Sequence, residues 1–470
     1  MEPRIYNLIA ELCARVNRFR ADDAIFVRYS CISLSAQQQL RREIYQNVSE
    51  LFVPPKDFSE TGNTLLVRQL RQDDLTESFF DALERFAGTL REPSQAFMII
   101  ALLQVLDEGL ETILRNLIVQ FQSDDFSLVL NINRETTGIG LLPCCSCMWE
   151  RRHRLSYSYN RLDNYLFSLL LIDNAVLGER IDKHYFLKQD IFPHLTERRE
   201  LRIAASPLSI HRPFVIQRYE EEQVKYFRLA YDNRSFAAEN ECIWQKITEA
   251  ARQQADIVVF PEVMGNPQMI ESICQKLSSL PQEQQACMPS LIILPSVWEK
   301  NRNTVTILDK TGHIICSQSK QNPYRMEEGE QSCLEAIHPN QVVNIFHHEG
   351  IGRMAILICR DFLTTHYMEE IMRCFHLTLM IVPSFSTGSY DFRRSFDLCA
   401  HDDCNVVWIN SCAAFETGKE ANFEHIGYVR KRIGRYDDHS QTLCRMPSCG
   451  GFFSGQCSRS CLFVETIKGV

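Results

Sequence analysis

Around the charged stretch Thr196–Arg202 the periodicity of this chain changes, and that change bounds what the chain can fold into. Before it, apolar residues recur mainly at helical spacing. After it, short β-branched runs alternate with single helical stretches. Val224–Tyr231 reads as a strand, Ala238–Gln254 as a helix and Asp256–Phe260 as a buried strand. Leu291–Leu294 and Thr304–Leu308 follow, then the turn Asp309-Lys310-Thr311-Gly312 and a strand over His313–Ser317. Met354–Ile358, Leu379–Val382 and Val406–Ile409 complete the pattern, the last two each preceded by a helix. Strands alternating with helices imply an α/β sandwich. The expectation is therefore a mainly helical domain over residues 1–197 and an α/β domain over 198–470.

In the first part, the clearest helical signal begins after Pro93 and Ser94. There Ile99, Leu102, Leu103, Leu106, Leu110, Ile113, Leu114 and Leu117 share one face, with charges on the other. Arg4–Phe19, Ala36–Phe52, Leu75–Leu90 and Asn160–Leu177 carry weaker versions of that spacing. Phe126–Ile132 is short enough to be a strand instead.

At 470 residues the chain exceeds what one core usually organises. Apolar residues are 45% and charged residues 23%, a globular mixture rather than a disordered one. The net charge of −9 gives no global reason to bind nucleic acid or an anionic membrane, so small molecules or proteins are the expected partners. Met98–Phe121 is the most apolar stretch, but Asp107, Glu108, Glu111 and Arg115 make it too costly for a bilayer core. The first twenty residues mix charges throughout and lack a secretory pattern. A cytoplasmic, reducing environment is expected, with most of the nineteen cysteines as free thiols.

Three segments carry candidate chemistry. Asp256-Ile257-Val258-Val259-Phe260-Pro261-Glu262 is a buried strand ending on a proline and a carboxylate, at the strand end where ligands gather in α/β folds. Lys320 follows the hairpin Thr304–Ser317, in the string Ser317-Gln318-Ser319-Lys320-Gln321-Asn322-Pro323. Cys359 ends the strand Arg353-Met354-Ala355-Ile356-Leu357-Ile358 and precedes a helix start at Arg360 and Asp361. A cysteine at such an elbow can have its thiolate stabilised by backbone N–H groups and a helix dipole. Taken singly, the glutamate reads as a solvated loop residue, the lysine as surface decoration and the cysteine as structural.

Together, the ordered segments resemble the nitrilase superfamily of carbon–nitrogen hydrolases. The helix before the glutamate strand, the hairpin Asn303–Ile315, the helix and strand over Thr365–Val382 ending in Pro383-Ser384, and the helix and strand over Arg393–Asn410 extend that resemblance across about 198–470. It implies an α/β/β/α sandwich and, usually, a homo-oligomer. It also implies a catalytic set in which Glu262 is the general base, Cys359 the nucleophile and Lys320 the stabiliser of developing negative charge. Many relatives carry a second glutamate beyond the lysine; Glu328 has one of the spacings found there and Glu335 a longer one, and Glu328 is preferred. Arg360 stands where tyrosine is frequent, and either binds a substrate carboxylate or pairs with a neighbouring acid. The resemblance implies hydrolysis of a small amide, ureide or nitrile, with no cofactor. Acyl transfer to an amine is a variant of the same chemistry. A second class of reading is a regulatory or scaffold module that uses the sandwich for assembly or ligand binding, for example in a bacterial defence or nucleic-acid-processing complex. The helical domain could recruit a protein partner. Cys444, Cys449, Cys457 and Cys461 lack the tighter, regular spacing of zinc sites, and Cys144-Cys145-Ser146-Cys147 follows Pro143 in a loop-like stretch with His153 nearby, where a metal or redox role is not expected either, so no metal is expected.

Overall fold

The structure is a computed structural model that describes residues 3–19, 24–54, 65–149, 161–208, 211–232, 234–328, 331–388, 390–415, 425–432, 438–445 and 461–469. The chain divides into two compact units, Met1–Cys145 with Arg152–Gly178, and Ser146–Arg151 with Glu179–Val470.

The first unit is built on the helix Ala96–Gly109, which is buried nearly all round rather than on one stripe. Around it pack the helices Arg4–Arg18, Leu34–Asn47 and Glu77–Thr89. The apolar periodicity continues through Leu117, but the helix does not. It ends at Gly109, whose carbonyl accepts from Leu70 N–H, and a second helix covers Glu111–Phe121. One charge assigned to the polar face is in fact buried: Asp107 accepts from the backbone N–H groups of Phe167, Ser168 and Leu169 at 2.7–3.1 Å. Those three donors lead into the strand Leu169–Asp173, which pairs antiparallel with Ile139–Pro143. The continuous helix expected across Asn160–Leu177 is not formed; its described residues give a short turn at Leu162–Tyr165, this strand and one helical turn at Asn174–Leu177. A leucine-rich run of that length satisfies either period, and the partner strand decides.

In the second unit, two seven-stranded sheets form the two inner layers. At the centre of one, Glu200–Ala205, Ile257–Val259 and Leu291–Ile293 run parallel, flanked by antiparallel strands that include Arg302–Asp309 and Phe463–Lys468. The centre of the other is Gly352–Ile356, Leu379–Ser384 and Asn405–Asn410, also parallel. Strand alternation divides their side chains. Val258 and Ile292 pack against Ile243, Ile247 and Ile273 of the helices Ala237–Arg252 and Met269–Ser278. On the second sheet, Trp408 stacks with Phe392 of the helix Tyr390–His401. Between the sheets, the Gln318 amide nitrogen donates to Val342 carbonyl, and its oxygen accepts from Asn344 N–H.

The boundary expected between 197 and 198 falls inside this unit. Ile181–Phe186 forms six parallel register pairs with Val342–His348 and so completes the edge of the second sheet. A strand whose partner lies some 160 residues away leaves no mark in local periodicity. A further four-stranded sheet joins the hairpin Val215–Glu221 and Val224–Ala230 to a second hairpin, Arg325–Glu328 and Gln331–Glu335. The join is one short parallel contact, Leu334 beside Tyr226 and Glu335 beside Phe227.

Consecutive histidines on the strand Val342–His348 are buried. Burial holds His347 well below the ordinary histidine range and pushes His348 down to about 4. Both are therefore neutral in the fold and must be protonated against burial in acid. A depressed native value leaves stability intact above the unfolded value near 6.5 and removes it as pH falls from there toward 4. His348 alone should contribute a loss on the order of 3 kcal/mol at the acid end. Urea unfolding at pH 7.5 and pH 5 should show a lower midpoint at pH 5, and His348→Gln should shrink the difference. An unchanged gap in that variant would remove His348 from the explanation.

Candidate active site

Glu262 follows the strand Ile257–Val259 directly through Phe260 and Pro261. The turn beyond it is tight. Val263 has φ 52° and donates to Ser296 Oγ at 2.7 Å, and a side chain on Gly265 would lie 2.8 Å from the Pro295 carbonyl. Only glycine fits there. This turn aims the Glu262 carboxylate inward, where it is 2% exposed. Its Oε1 accepts from Asn303 Nδ2 and from Lys320 Nζ, both at 2.8 Å, and its Oε2 accepts from Phe385 N–H at 2.9 Å.

Lys320 lies just past the strand Ile314–Ser319, and its N–H donates to Asn303 carbonyl at 2.8 Å. Its ammonium is buried and lies 2.8 Å from a second carboxylate, that of Glu335. Burial pushes Lys320 down, but Glu262 and Glu335 outweigh it and hold the ammonium well above its ordinary range. Burial pushes Glu335 up, opposed by Lys320.

The carboxylate that joins Glu262 at Lys320 is Glu335 and not Glu328, the one preferred from sequence, and strand register sets the two apart. Glu335 sits at the open end of its hairpin, exchanging bonds with Tyr324: Glu335 N–H donates to Tyr324 carbonyl at 2.8 Å, and Tyr324 N–H donates to Glu335 Oε2 at 2.6 Å. Glu328 pairs with Gln331 at the turn end, about 13 Å farther along a strand rising roughly 3.3 Å per residue.

Cys359 occupies the elbow expected of it. Its N–H donates to Pro383 carbonyl at 2.9 Å, and its backbone lies at φ 47°, ψ −97°, a conformation that a non-glycine residue adopts only under constraint. The helix that follows, Arg360–Leu363, is a single turn, too short to supply the dipole that could have favoured a thiolate. Burial pushes the Cys359 thiol far up, Glu262 adds to this, and Lys320 opposes it. The resting group is a neutral thiol whose Sγ donates to the Phe385 carbonyl at 4.0 Å, while Phe385 N–H holds Glu262 Oε2. By its position at the helix start, Arg360 N–H has no intrahelical acceptor. The Arg360 side chain is exposed, and among the described residues it makes no ion pair.

Two participants are missing from the candidates named by sequence. Asn303, noticed only as part of a hairpin, fixes one oxygen of Glu262. Asp361 is buried and accepts from Gln321 N–H, Asn322 N–H and Asn322 Nδ2 at 2.7–3.1 Å. Its place two residues after the cysteine was the only signal. No three-residue cluster of His, Cys, Asp or Glu suited to a metal occurs among the described residues; Cys449 and Cys457 lie outside them. No described helix is long and apolar enough to cross a membrane.

Removing the Lys320 charge should leave two buried carboxylates facing each other. Lys320→Ala is expected to destabilise the second unit by about 3–5 kcal/mol. Glu335→Gln, which keeps an acceptor and relieves carboxylate repulsion, should cost much less. Equal urea midpoints for Lys320→Ala and the parent protein would show that the ion cluster is not stabilising.

No known family profile matches the chain, and no curated protein sequence matches it. Among solved structures it is similar to an amidase from Nesterenkonia sp., at 15% identity, covering 57% of this chain and 90% of that one with a TM-score of 0.35. A variant of that enzyme, described as from the nitrilase superfamily, superposes over the same shares at 16% identity and TM-score 0.35. Another carries the acetamide moiety of fluoroacetamide on its active-site cysteine, at 15% identity and TM-score 0.36, again over 57% and 90%. Likeness at this level adds nothing to the weight of the site's own geometry.

Proposed function

We propose that the second unit hydrolyses a non-peptide carbon–nitrogen bond in a small molecule, as members of the nitrilase superfamily do, with an amide as the default substrate and a ureide or nitrile as the other forms. The observation that carries this reading is a buried neutral thiol at a strained elbow, donating to the carbonyl of Phe385, whose N–H holds a carboxylate that also accepts from a buried ammonium. A structural cysteine needs none of these neighbours.

The reaction follows from the side chains. Glu262 accepts the Cys359 proton as sulfur bonds to the amide carbon, so thiolate never accumulates ahead of attack. Negative charge that develops on the substrate oxygen meets Lys320 Nζ and Arg360 N–H, both fixed before the reaction begins. When the tetrahedral species collapses, the C–N bond breaks and Glu262 returns the proton to the departing nitrogen. A thioester remains on Cys359. Water attacks it with Glu262 again accepting a proton, and the acid leaves as the thiol is restored. Asn303 and Phe385 N–H hold Glu262 in one orientation through both halves. Arg360, exposed beside the nucleophile, is placed to meet an anionic group on the substrate.

Iodoacetamide labelling near neutral pH, with adducts mapped by peptide mass, tests the reading. Cys359 should react ahead of the exposed Cys31 and Cys287 despite its burial, and Glu262→Gln should lose roughly tenfold to a thousandfold in that rate through loss of the base. If Cys359 in the folded protein is slower than those two, the hydrolase reading fails and a scaffold role replaces it.

A further inference from the structure

Asp361 is a carboxylate, 1% exposed, whose bonds all run to one short segment, the two residues that follow Lys320. Its Oδ1 accepts from Gln321 N–H at 3.0 Å, Asn322 N–H at 2.7 Å and Asn322 Nδ2 at 2.8 Å, and its Oδ2 accepts from Gln321 N–H at 3.1 Å. On its own side, Asp361 N–H donates to Ile358 carbonyl at 3.0 Å, so the carboxylate is anchored across the Cys359 elbow. Gln321 in turn ties the segment to the residues just before the strand Val342–His348. Its amide nitrogen donates to Asn340 Oδ1 at 2.9 Å, and its oxygen accepts from Gln341 N–H at 2.9 Å.

We propose that Asp361 is a positioning residue for the reaction, setting the distance between the Cys359 sulfur and the Lys320 ammonium by clamping the Gln321–Asn322 backbone to the nucleophile's turn. The proposal rests on the hydrolase reading of Cys359. Without the clamp, no hydrogen bond among the described residues joins the segment after Lys320 directly to the Cys359 elbow, and the two halves of the site are less firmly held together. Displacing a charge-stabilising group by about 1 Å costs roughly a hundredfold in rate.

The clamp also titrates. Burial pushes Asp361 up to about 7, against the pull of Asn322, Lys320 and Gln321. The charged and titratable groups that act on it are the Lys320 ammonium and the Tyr367 phenol from the helix Thr365–Cys374. Above pH 7 the ionised carboxylate accepts all its bonds; below it, one oxygen carries a proton and faces donors.

The test is the second-order rate of Cys359 alkylation by iodoacetamide from pH 5.5 to 8.5, with thermal melts confirming the fold. The parent protein should show an inflection near 7 superimposed on the rise due to thiol ionisation. Asp361→Asn should react about tenfold to a hundredfold more slowly at pH 8 and lack the inflection. Asn322→Ala removes one bond that favours the ionised form, so its inflection should move upward; this variant decides the matter if Asp361→Asn does not fold. If the parent reacts as the hydrolase reading requires but Asp361→Asn keeps its rate and profile, or Asn322→Ala keeps the parental inflection, the clamp is refuted and the reading of Cys359 stands. A parental Cys359 that does not react removes both.

Discussion

A buried ammonium between two buried carboxylates is the constraint around which the second unit is arranged. In a low-dielectric interior a lone charge is costly, and neither the Glu262 nor the Glu335 carboxylate could stay ionised in the core without the Lys320 ammonium. Each arrives from a different part of the chain: the end of a parallel strand, the end of a hairpin, and an inserted sheet. Meeting at one point requires the backbones between them to be correct, which is why so much of the local structure near the site consists of turns in constrained conformations and amide side chains bridging strands. The cluster carries one positive and up to two negative charges, and burial keeps the thiol near it protonated.

The inserted sheet gains meaning from this arrangement. Its hairpin Val224–Ala230 touches the strand of Glu335 at only two register pairs, yet one of them is Glu335 itself. Behind it, Phe214, Phe227, Leu229, Val263, Trp298 and Ile337 form a separate apolar cluster, with Phe385 packed against it. Val263 follows Glu262, and Phe385 N–H orients its carboxylate. A peripheral-looking sheet therefore shares a core with the residues that hold Glu262 and Glu335 in place. Altering that core by one methylene would be felt at the carboxylates, because close-packed interiors transmit strain.

What the sequence disclosed was whatever depended on near neighbours. The strands leading to Glu262 and Cys359 are short, apolar and bounded by proline, glycine or charge, and their ends are where the side chains stand. Lys320 was legible through the hairpin before it. The remainder depended on pairing between distant segments. Nothing near Glu335 distinguishes it from Glu328 until a hairpin register places one beside Tyr324 and the other at the turn. Asp107 looked like a solvated charge on an amphipathic helix until three backbone N–H groups from residues 167–169 were brought to it. Asn303 and Asp361 were hidden for the same reason: their partners lie about 40 residues away. Domain limits failed likewise, since Ile181–Phe186 is recognisable as part of the second unit only through Val342–His348.

That edge strand governs how the protein can be divided. A fragment beginning at residue 198 would keep Glu262, Lys320, Glu335 and Cys359, yet it would strip the neighbour from Val342–His348 and bare a row of backbone donors and acceptors along a strand whose side chains are mostly buried. Such an open, apolar border templates pairing with other chains. The shortened protein would tend to aggregate through a surface that the intact chain has already filled with its own backbone.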